Sequence, residues 1–174
     1  IMLVGQAPGP VEHDVTRPFA GRAGAQLMRW MVRAGFRDEE QFRACVFITS
    51  MTTCFPGRTP AGRGDRRPSA AEVRLCSPWL DAYLALLQPR LVIPTGALAH
   101  SRFFARGALD DLVGHAFRLD GTPCDEPRPL QWPVLLPLPH PSGQSRWLND
   151  PVRAARVEVA LQRLRSLLEW AHQR

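Results

Sequence analysis

The sequence contains no lysine: all 22 of its basic residues are arginine. It has no apolar run long enough to cross a bilayer and no charged-then-apolar leader, so we expect neither a membrane span nor a secretory signal. Its four cysteines include no CxxC pair, so their spacing supports neither a self-contained zinc knuckle nor a small disulfide framework. We therefore expect reduced thiols in a cytoplasmic protein.

The rest of the composition is that of one globular domain. The 174 residues are 45% hydrophobic and 22% charged, which excludes disorder and coiled coil as dominant states. Against 16 acidic residues, the arginines give a formal net charge of +6. A basic chain favours a polyanionic partner such as nucleic acid, although an all-arginine surface is also typical of a GC-rich genome.

Short apolar runs alternate with amphipathic segments along the chain. Four of the runs predict buried strands, at residues 1–4, 45–51, 90–96 and 132–138. The amphipathic segments predict helices over residues 24–35, 38–44, 69–88, 97–105, 109–113 and 150–171. Apolar strands that alternate with helices form parallel sheets covered on both faces. The predicted fold class is therefore α/β, a single three-layer α/β/α domain with a central four-stranded parallel sheet.

Three loops are predicted to leave the carboxyl ends of strands, where ligands bind in such folds. They cover residues 5–23, 52–68 and 140–149 and carry most of the unusual chemistry. The first, rich in Gly and Pro, is predicted to be a loop throughout. Pro78 is predicted to kink or divide the helix over 69–88.

The loop after the first strand reads GQAPGPVEHDVTRPFAGRAG, at residues 5–24. Small residues directly after a strand let backbone N–H groups approach a ligand closely. Phe19 lies on a rigid stretch of this loop and suits stacking on a flat base, while Glu12 is near enough to fold back over the same site. The loop lacks GxGxxG and GxxxxGKS/T, so a dinucleotide or P-loop site is poorly supported. A structural loop with Phe19 in the core is the alternative.

Two further loops carry polar side chains. His140 ends an apolar strand and opens the turn HPSG, so its imidazole suits a polar or anionic atom in a cleft. The alternative is a histidine that bonds to nearby backbone carbonyls. The loop over 55–68 combines Gly and Pro with arginines that suit phosphate contacts, unless it is simply a solvated charged loop. These arginines are Arg58, Arg63, Arg66 and Arg67.

Together these segments resemble the uracil-DNA glycosylase superfamily, and above all its bacterial and archaeal iron–sulfur branch, usually called family 4. Three blocks match in order: the GQAPG…RPFAGRAG loop at 5–24, FITSMTTCFPG at 47–57 with CSPWL at 76–80, and HPS at 140–142. The resemblance covers nearly the whole chain. It implies a four-stranded parallel sheet between helices. It also implies a DNA-repair enzyme that flips a uracil nucleotide out of the helix, hydrolyses its N-glycosidic bond and leaves an abasic site.

The resemblance also implies roles for single residues. Phe19 matches the aromatic side chain that stacks on the base, and the backbone around Gln6 and Ala7 should line the pocket. His140 matches the histidine that stabilises the uracil oxygen, for which a neutral imidazole suffices. Glu12 matches a carboxylate that orients water and balances the positive charge on the sugar. The loop that presses into the duplex would supply Ser142, Gly143, Gln144 and Arg146.

Two residues depart from the family pattern. Ser50 stands where the family has an Asn that pairs with the uracil edge, and Gln6 replaces the Glu of a GEAPG loop. A lost bidentate contact costs about 1–3 kcal/mol of base discrimination, and the lost carboxylate predicts slower turnover. Two alternatives on the same fold are therefore a glycosylase with shifted deaminated-base specificity and a weakly catalytic or non-catalytic nucleic-acid binder. A third is a small-molecule or nucleotide enzyme that holds phosphate on residues 5–9.

The iron–sulfur branch holds a 4Fe–4S cluster on four cysteines, two of them in an upstream CxxC. Cys54 and Cys76 match the downstream pair, and two thiolates alone cannot hold such a cluster. The upstream pair would precede Ile1, so either a preceding segment is missing or this member lacks the cluster. We expect uracil-containing DNA as the partner, no membrane contact and a monomer, because a glycosylase needs only one cleft.

Overall fold

The computed structural model describes residues 1–62, 64–124, 133–143 and 146–172. Its elements are β1 (Met2–Gly5), α1 (Pro10–Val15), α2 (Arg22–Arg33), α3 (Glu39–Cys45), β2 (Phe47–Ser50), α4 (Ala70–Leu87), β3 (Leu91–Pro94), α5 (Ala97–Phe103), α6 (Leu109–Leu112), β4 (Val134–Leu135), a 3-10 helix (Arg146–Asn149) and α7 (Pro151–His172). Across these described ranges, no helix combines the length and apolar character needed to cross a membrane.

The four strands form one parallel sheet in the order β2-β1-β3-β4. Gly5 at the end of β1 pairs with Ser50 at the end of β2. Beyond the strand ends, a bridge between Thr95 and Leu138 continues the pairing of β3 with β4. The predicted fold class is thereby confirmed, and the carboxyl ends of the strands lie along one edge of the sheet.

Apolar side chains cover both faces of the sheet. In β1, Leu3 belongs to one buried cluster, while Met2 and Val4 belong to the other, as expected for alternating side chains of a strand buried on both faces. The cluster that contains Leu3 includes residues of α2 and α7, among them Leu27, Met31, Leu161 and Leu164. The opposite cluster includes residues of α4 and α5, among them Leu80 and Leu98. These two helical layers complete the predicted three-layer arrangement.

The segment at 5–23 was predicted to be a loop throughout, and this prediction was wrong, because it contains α1. Pro10 opens this helix at a position where a missing N–H costs nothing. Glu12, in the first turn, accepts a hydrogen bond from the Gly9 N–H at 3.1 Å. A Pro followed by an acidic residue within one turn was the available signal for a helix start.

Pro78 does not divide α4, which runs through all 18 of its residues. Proline cannot donate to the carbonyl four residues earlier, which belongs to Arg74. The Ser77 hydroxyl donates to that carbonyl instead, at 3.0 Å. The predicted start of this helix is confirmed, because Ser69 and Glu72 exchange side-chain and backbone hydrogen bonds in a capping box.

Candidate active site

The loop after β1 places Phe19 against the end of that strand. Two atoms of its ring, Cζ and Cε2, lie 3.2 and 3.3 Å from the point where a Cβ on Gly5 would stand. The ring is half-buried and also packs against the cluster that contains Leu3. The backbone φ of Phe19 is +52°, in the left-handed region that side-chain-bearing residues adopt only at a cost. Backbone strain of this kind is concentrated at functional sites.

Glu12 holds the two ends of this loop together. Its Oε1 accepts the Gly21 N–H at 2.8 Å, and its Oε2 accepts the Gly9 N–H at 3.1 Å. The carboxylate therefore joins the start of α1 to the start of α2. Asp65 approaches from another loop, with Oδ2 3.3 Å from the point where a Cβ on Gly9 would stand. Each oxygen of Glu12 keeps a lone pair beyond these two bonds.

Ser50 lies beside Gly5 at the end of β2. Its hydroxyl donates to the Thr52 carbonyl at 2.6 Å, which commits its only hydrogen and leaves the oxygen as an acceptor. The Thr52 N–H donates to the Gln6 carbonyl at 3.3 Å, which fixes the Gln6 backbone next to Ser50. The Gln6 and Ala7 side chains are half-buried.

Thr52 itself was not singled out from the sequence. Its hydroxyl is buried and has no hydrogen-bond partner within the described ranges. In the sequence Met51-Thr52-Thr53, nothing distinguishes the Thr52 hydroxyl from that of its neighbour Thr53. The structure thus adds a second hydroxyl residue to this end of the sheet.

His140 follows β4 and packs directly on Gly96. Its Cβ and Cδ2 lie 3.2 and 3.3 Å from the point where a Cβ on Gly96 would stand, and the φ of Gly96 is +88°. The Ser142 N–H donates to His140 Nδ1 at 3.3 Å, so the neutral ring carries its hydrogen on Nε2. Burial lowers the pKa of His140, which favours that neutral ring at physiological pH.

His100, on α5, ties together the strand ends next to His140. Its Nε2 lies 3.1 Å from the Pro94 carbonyl and 2.9 Å from the Leu138 carbonyl. The Gly96 N–H also donates to the Leu138 carbonyl, at 2.9 Å. Burial lowers the pKa of His100, so the ring is neutral and donates one hydrogen between the two carbonyls. In the sequence, only the position of His100 four residues after Gly96 could have indicated this role.

These groups lie on both sides of β1 at the carboxyl edge. Ser50 ends β2 and His140 follows β4, so β1 and β3 lie between them in the order of the sheet. A cavity of about 390 Å³ lies at the opposite edge, lined by the starts of β1 and β2, and contains none of these residues.

The predicted arginine loop forms a hairpin over residues 57–66, except for Arg63, which lies outside the described residues. The Arg66 N–H donates to the Gly57 carbonyl at 2.8 Å. The Arg66 guanidinium donates to the Pro56 carbonyl and to both oxygens of Glu72, at 2.7 and 2.9 Å. Arg66, followed by the Ser69 backbone, lowers the pKa of Glu72 to about 2. Arg66 therefore holds the hairpin on α4, while the side chains of Arg58 and Arg67 are exposed.

The segment after His140 leaves the site toward α7. Ser142 is half-buried and Gly143 is exposed. Gln144 lies outside the described residues, and the backbone of Arg146 begins the 3-10 helix. That helix is anchored by Trp147, whose Nε1 donates to Asp110 at 3.1 Å.

The two cysteines predicted as cluster ligands come from neighbouring segments. Cys54 is exposed and Cys76 is half-buried, and Thr53 Oγ1 lies 3.9 Å from Cys76 Sγ. In the part of the chain that the structure describes, no group of three or more His, Cys, Asp or Glu side chains could hold a metal ion. Two thiols provide half of the ligands of a 4Fe–4S cluster, so the described residues do not fit such a cluster by themselves.

The fold and the site define a class: a three-layer α/β protein with a neutral histidine and a strained aromatic residue at the carboxyl edge of a parallel sheet. The family model of the uracil DNA glycosylase superfamily matches residues 1–165. The chain belongs to this superfamily, and the resemblance drawn from its motifs is confirmed.

Named relatives fall in the predicted branch. The chain is 30% identical over 158 residues to the Type-4 uracil-DNA glycosylase of Thermotoga maritima, a match that covers 91% of this chain and 72% of that protein. It is 36% identical over 99 residues to the Type-4 uracil-DNA glycosylase of Pyrobaculum aerophilum, covering 57% and 45%. A Type-5 uracil-DNA glycosylase of the same organism is 36% identical over 109 residues. The chain thus spans less than half the length of the Pyrobaculum Type-4 relative.

Proposed function

We propose that this protein is a uracil-DNA glycosylase, which hydrolyses the N-glycosidic bond of deoxyuridine in DNA and leaves an abasic site. The observation that carries the proposal is the seating of His140. Its ring rests on Gly96 and accepts the Ser142 N–H at Nδ1, which leaves the Nε2 hydrogen to donate toward a base. Membership of the superfamily and the Type-4 relatives support the same activity.

His140 acts on the leaving group. When the bond from the sugar to the base breaks, its electron pair moves onto the uracil ring and its oxygen. The Nε2–H of the neutral ring donates a hydrogen bond to that oxygen. Burial lowers the pKa of His140, which keeps the ring neutral. Loss of one such donor typically costs about 10²–10³-fold in rate.

Glu12 acts on the other fragment. Positive charge develops on the sugar, and water must attack it. The Glu12 carboxylate lies beside the loop that carries Phe19 and keeps lone pairs beyond its bonds to Gly9 and Gly21, so it is the proposed group that orients the water and balances the charge. Phe19 stacks on the flipped base, and the Gln6–Ala7 backbone lines its edge.

DNA contacts are proposed for the segments that flank this edge. Arg58 and Arg67 have exposed side chains that suit phosphate oxygens. Ser142, Gly143 and Arg146 belong to the segment after His140. Arg63 and Gln144, which were predicted with them, lie outside the described residues. Arg66 is the exception among the predicted contacts, because its donors bind Pro56 and Glu72.

A second candidate, a glycosylase with broader deaminated-base specificity, is favoured by Ser50. Its hydroxyl donates to the Thr52 carbonyl, so it offers a base only an acceptor. Deamination converts a ring nitrogen lone pair into an N–H in both cytosine and adenine. An acceptor at this position therefore selects uracil over cytosine, but it also selects hypoxanthine over adenine.

The finer statements on cofactor, assembly and location are proposals as well. Cys54 and Cys76 are the proposed pair for a 4Fe–4S cluster, and no step of the reaction passes through it. Iron and sulfide content and visible absorbance of the purified protein test this pair. We further propose that the protein acts as a monomer on cytoplasmic DNA, because all the proposed site residues come from one chain.

A labelled oligonucleotide with one central uracil tests the proposed function. It is offered single-stranded, opposite G and opposite A, and alkali then cuts any abasic site. The wild-type protein should generate cleavage, which His140→Ala reduces by about 10²–10³-fold. His115→Ala is the matched control, because this histidine is exposed and its ring lies beside Phe117, which is not a proposed site residue. Absence of alkali-sensitive product from all three substrates overturns the proposal, and retained DNA binding would then favour the non-catalytic binder.

A further inference from the structure

We propose that Arg43 is a positioning residue that holds Phe19 in the strained conformation required for base stacking. The inference rests on the proposed function. Its starting point is the backbone of Phe19, whose φ of +52° is unusual for an aromatic residue. A conformation of this kind persists only where surrounding groups fix it.

Arg43 lies on α3, 24 residues further along the chain, and reaches back to this strained residue. Its Nη1 donates to the Pro18 carbonyl at 2.9 Å, and its Nη2 donates to the Phe19 carbonyl at 3.2 Å. The planar guanidinium thus bridges two successive carbonyls, which the single point charge of lysine does not reproduce. Only 16% of the Arg43 side chain is exposed, so this is not a casual surface contact.

The third donor of the same side chain fixes its direction. Arg43 Nε donates to Glu39 Oε1 at 2.8 Å, and Arg17 Nη2 donates to the same oxygen at 2.9 Å. Glu39 therefore ties Arg43 to the residue that precedes Pro18. The guanidinium is held in place before it meets the Phe19 carbonyl.

The loop is fixed from its other side as well. Glu12 accepts the Gly21 N–H at 2.8 Å, two residues after Phe19. A Cβ on Gly24 would lie 1.8 Å from the Phe19 carbonyl oxygen, so the first turn of α2 packs directly against that peptide. Arg43 and Glu12 therefore hold the backbone at and after Phe19, whose ring lies over Gly5. Arg43 thus acts on the base through Phe19.

Uracil excision by single and double variants tests this link. Arg43→Ala should lower kcat/KM by about tenfold or more, because small displacements of a positioned group carry large rate costs. Arg43→Lys, which keeps the charge but loses the fork, should recover only part of that loss. Arg37→Ala is the control, because Arg37 is exposed and pairs with Asp38. Phe19→Ala combined with Arg43→Ala should be no slower than Phe19→Ala alone, whereas losses that multiply overturn the proposal.

A spectroscopic measurement keeps the inference separate from the proposed activity. The eight phenylalanines are labelled with 3-fluorophenylalanine, and the Phe19 signal is assigned with Phe19→Leu. Without ligand, Arg43→Lys should shift or broaden the Phe19 fluorine resonance, while Arg37→Ala leaves it unchanged. An unchanged Phe19 resonance in Arg43→Lys overturns the proposal. If wild-type protein fails to excise uracil while Arg43→Lys moves the resonance, the proposed function fails and the positioning contact stands.

Discussion

At the scale of single residues, the hydrogen-bond donors and acceptors that a side chain has free decide what it can offer to a bound base. Ser50 and His140 have opposite hydrogen-bonding capacity, because the Ser50 hydroxyl donates its hydrogen to Thr52 and the His140 ring keeps a free hydrogen on Nε2. A base that bridges them needs an N–H on one side and an acceptor on the other. The proposed base selection therefore depends on two hydrogen bonds made within the protein itself.

Replacement of Ser50 tests this selection. Ser50→Asn supplies both a donor and an acceptor and should raise kcat/KM for uracil and for hypoxanthine by about tenfold, for one added contact worth 1–3 kcal/mol, because both bases carry a carbonyl beside the ring N–H. Ser50→Ala removes the acceptor and should slow both substrates. The kcat/KM values of each variant on oligonucleotides with a single uracil or hypoxanthine measure the effect. Unchanged values in Ser50→Asn would show that Ser50 does not contact the base.

At the scale of elements, a close approach between turns seats His140. Gly96 has a φ of +88°, and a Cβ there would stand 3.2 Å from His140 Cβ. Gly96→Ala should therefore both strain the backbone, by about 1–3 kcal/mol, and push His140 from its place. Gly121→Ala is the matched control, since its φ is +84° and nothing lies within 4 Å of the added atom.

Both variants should lose similar stability in urea unfolding, and only Gly96→Ala should also lose uracil excision at a temperature where both are folded. Equal activity losses in the two variants would contradict the seating of His140 on Gly96.

The hairpin over 57–66 depends on a contact with another element. Arg66 binds Glu72, which also caps α4, so one carboxylate serves the hairpin and the helix start. Glu72→Ala should open the hairpin and speed tryptic cleavage within it. Asp81→Ala removes the exposed ion pair of Asp81 with Arg102 and serves as the control. Unchanged cleavage in Glu72→Ala would exclude this anchoring role.

At the scale of the whole molecule, two neutral histidines with lowered pKa values contribute to the response to acid. Burial lowers the pKa of His100 and His140 in the folded state below the ordinary value of 6.5. The unfolded chain takes up protons first as the pH falls through that value, so stability is complete above it and declines below it. The free energy of unfolding should therefore fall as the pH drops below about 6.5, and less so in His100→Gln. An identical decline in that variant would assign the effect to other groups.

The sequence predicted the sheet, the helix starts at Ser69 and Asp150 and the family, because apolar runs and caps are local patterns. Asp150 does accept the Val152 N–H at 2.8 Å. The sequence did not predict α1, because its Gly and Pro residues suggested a loop. It also did not predict the continuity of α4, where the Ser77 hydroxyl bonds to the Arg74 carbonyl that Pro78 cannot reach. The sequence also gave no indication of the partners of Arg43 and His100, since contacts between distant segments leave no periodic pattern.

The parallel order of the strands has a consequence for how the protein matures. Phe19, Ser50, Gly96 and His140 come from four separate segments at the ends of β1, β2, β3 and β4, and their assembly requires every crossover of the sheet to be complete. Long-range parallel pairing is slow to form, because the closure entropy of each crossover is paid before its contacts exist. The site is therefore complete only in a chain in which all four strands are paired in register. The proposed uracil excision should therefore return during refolding only when the last step of assembly is complete.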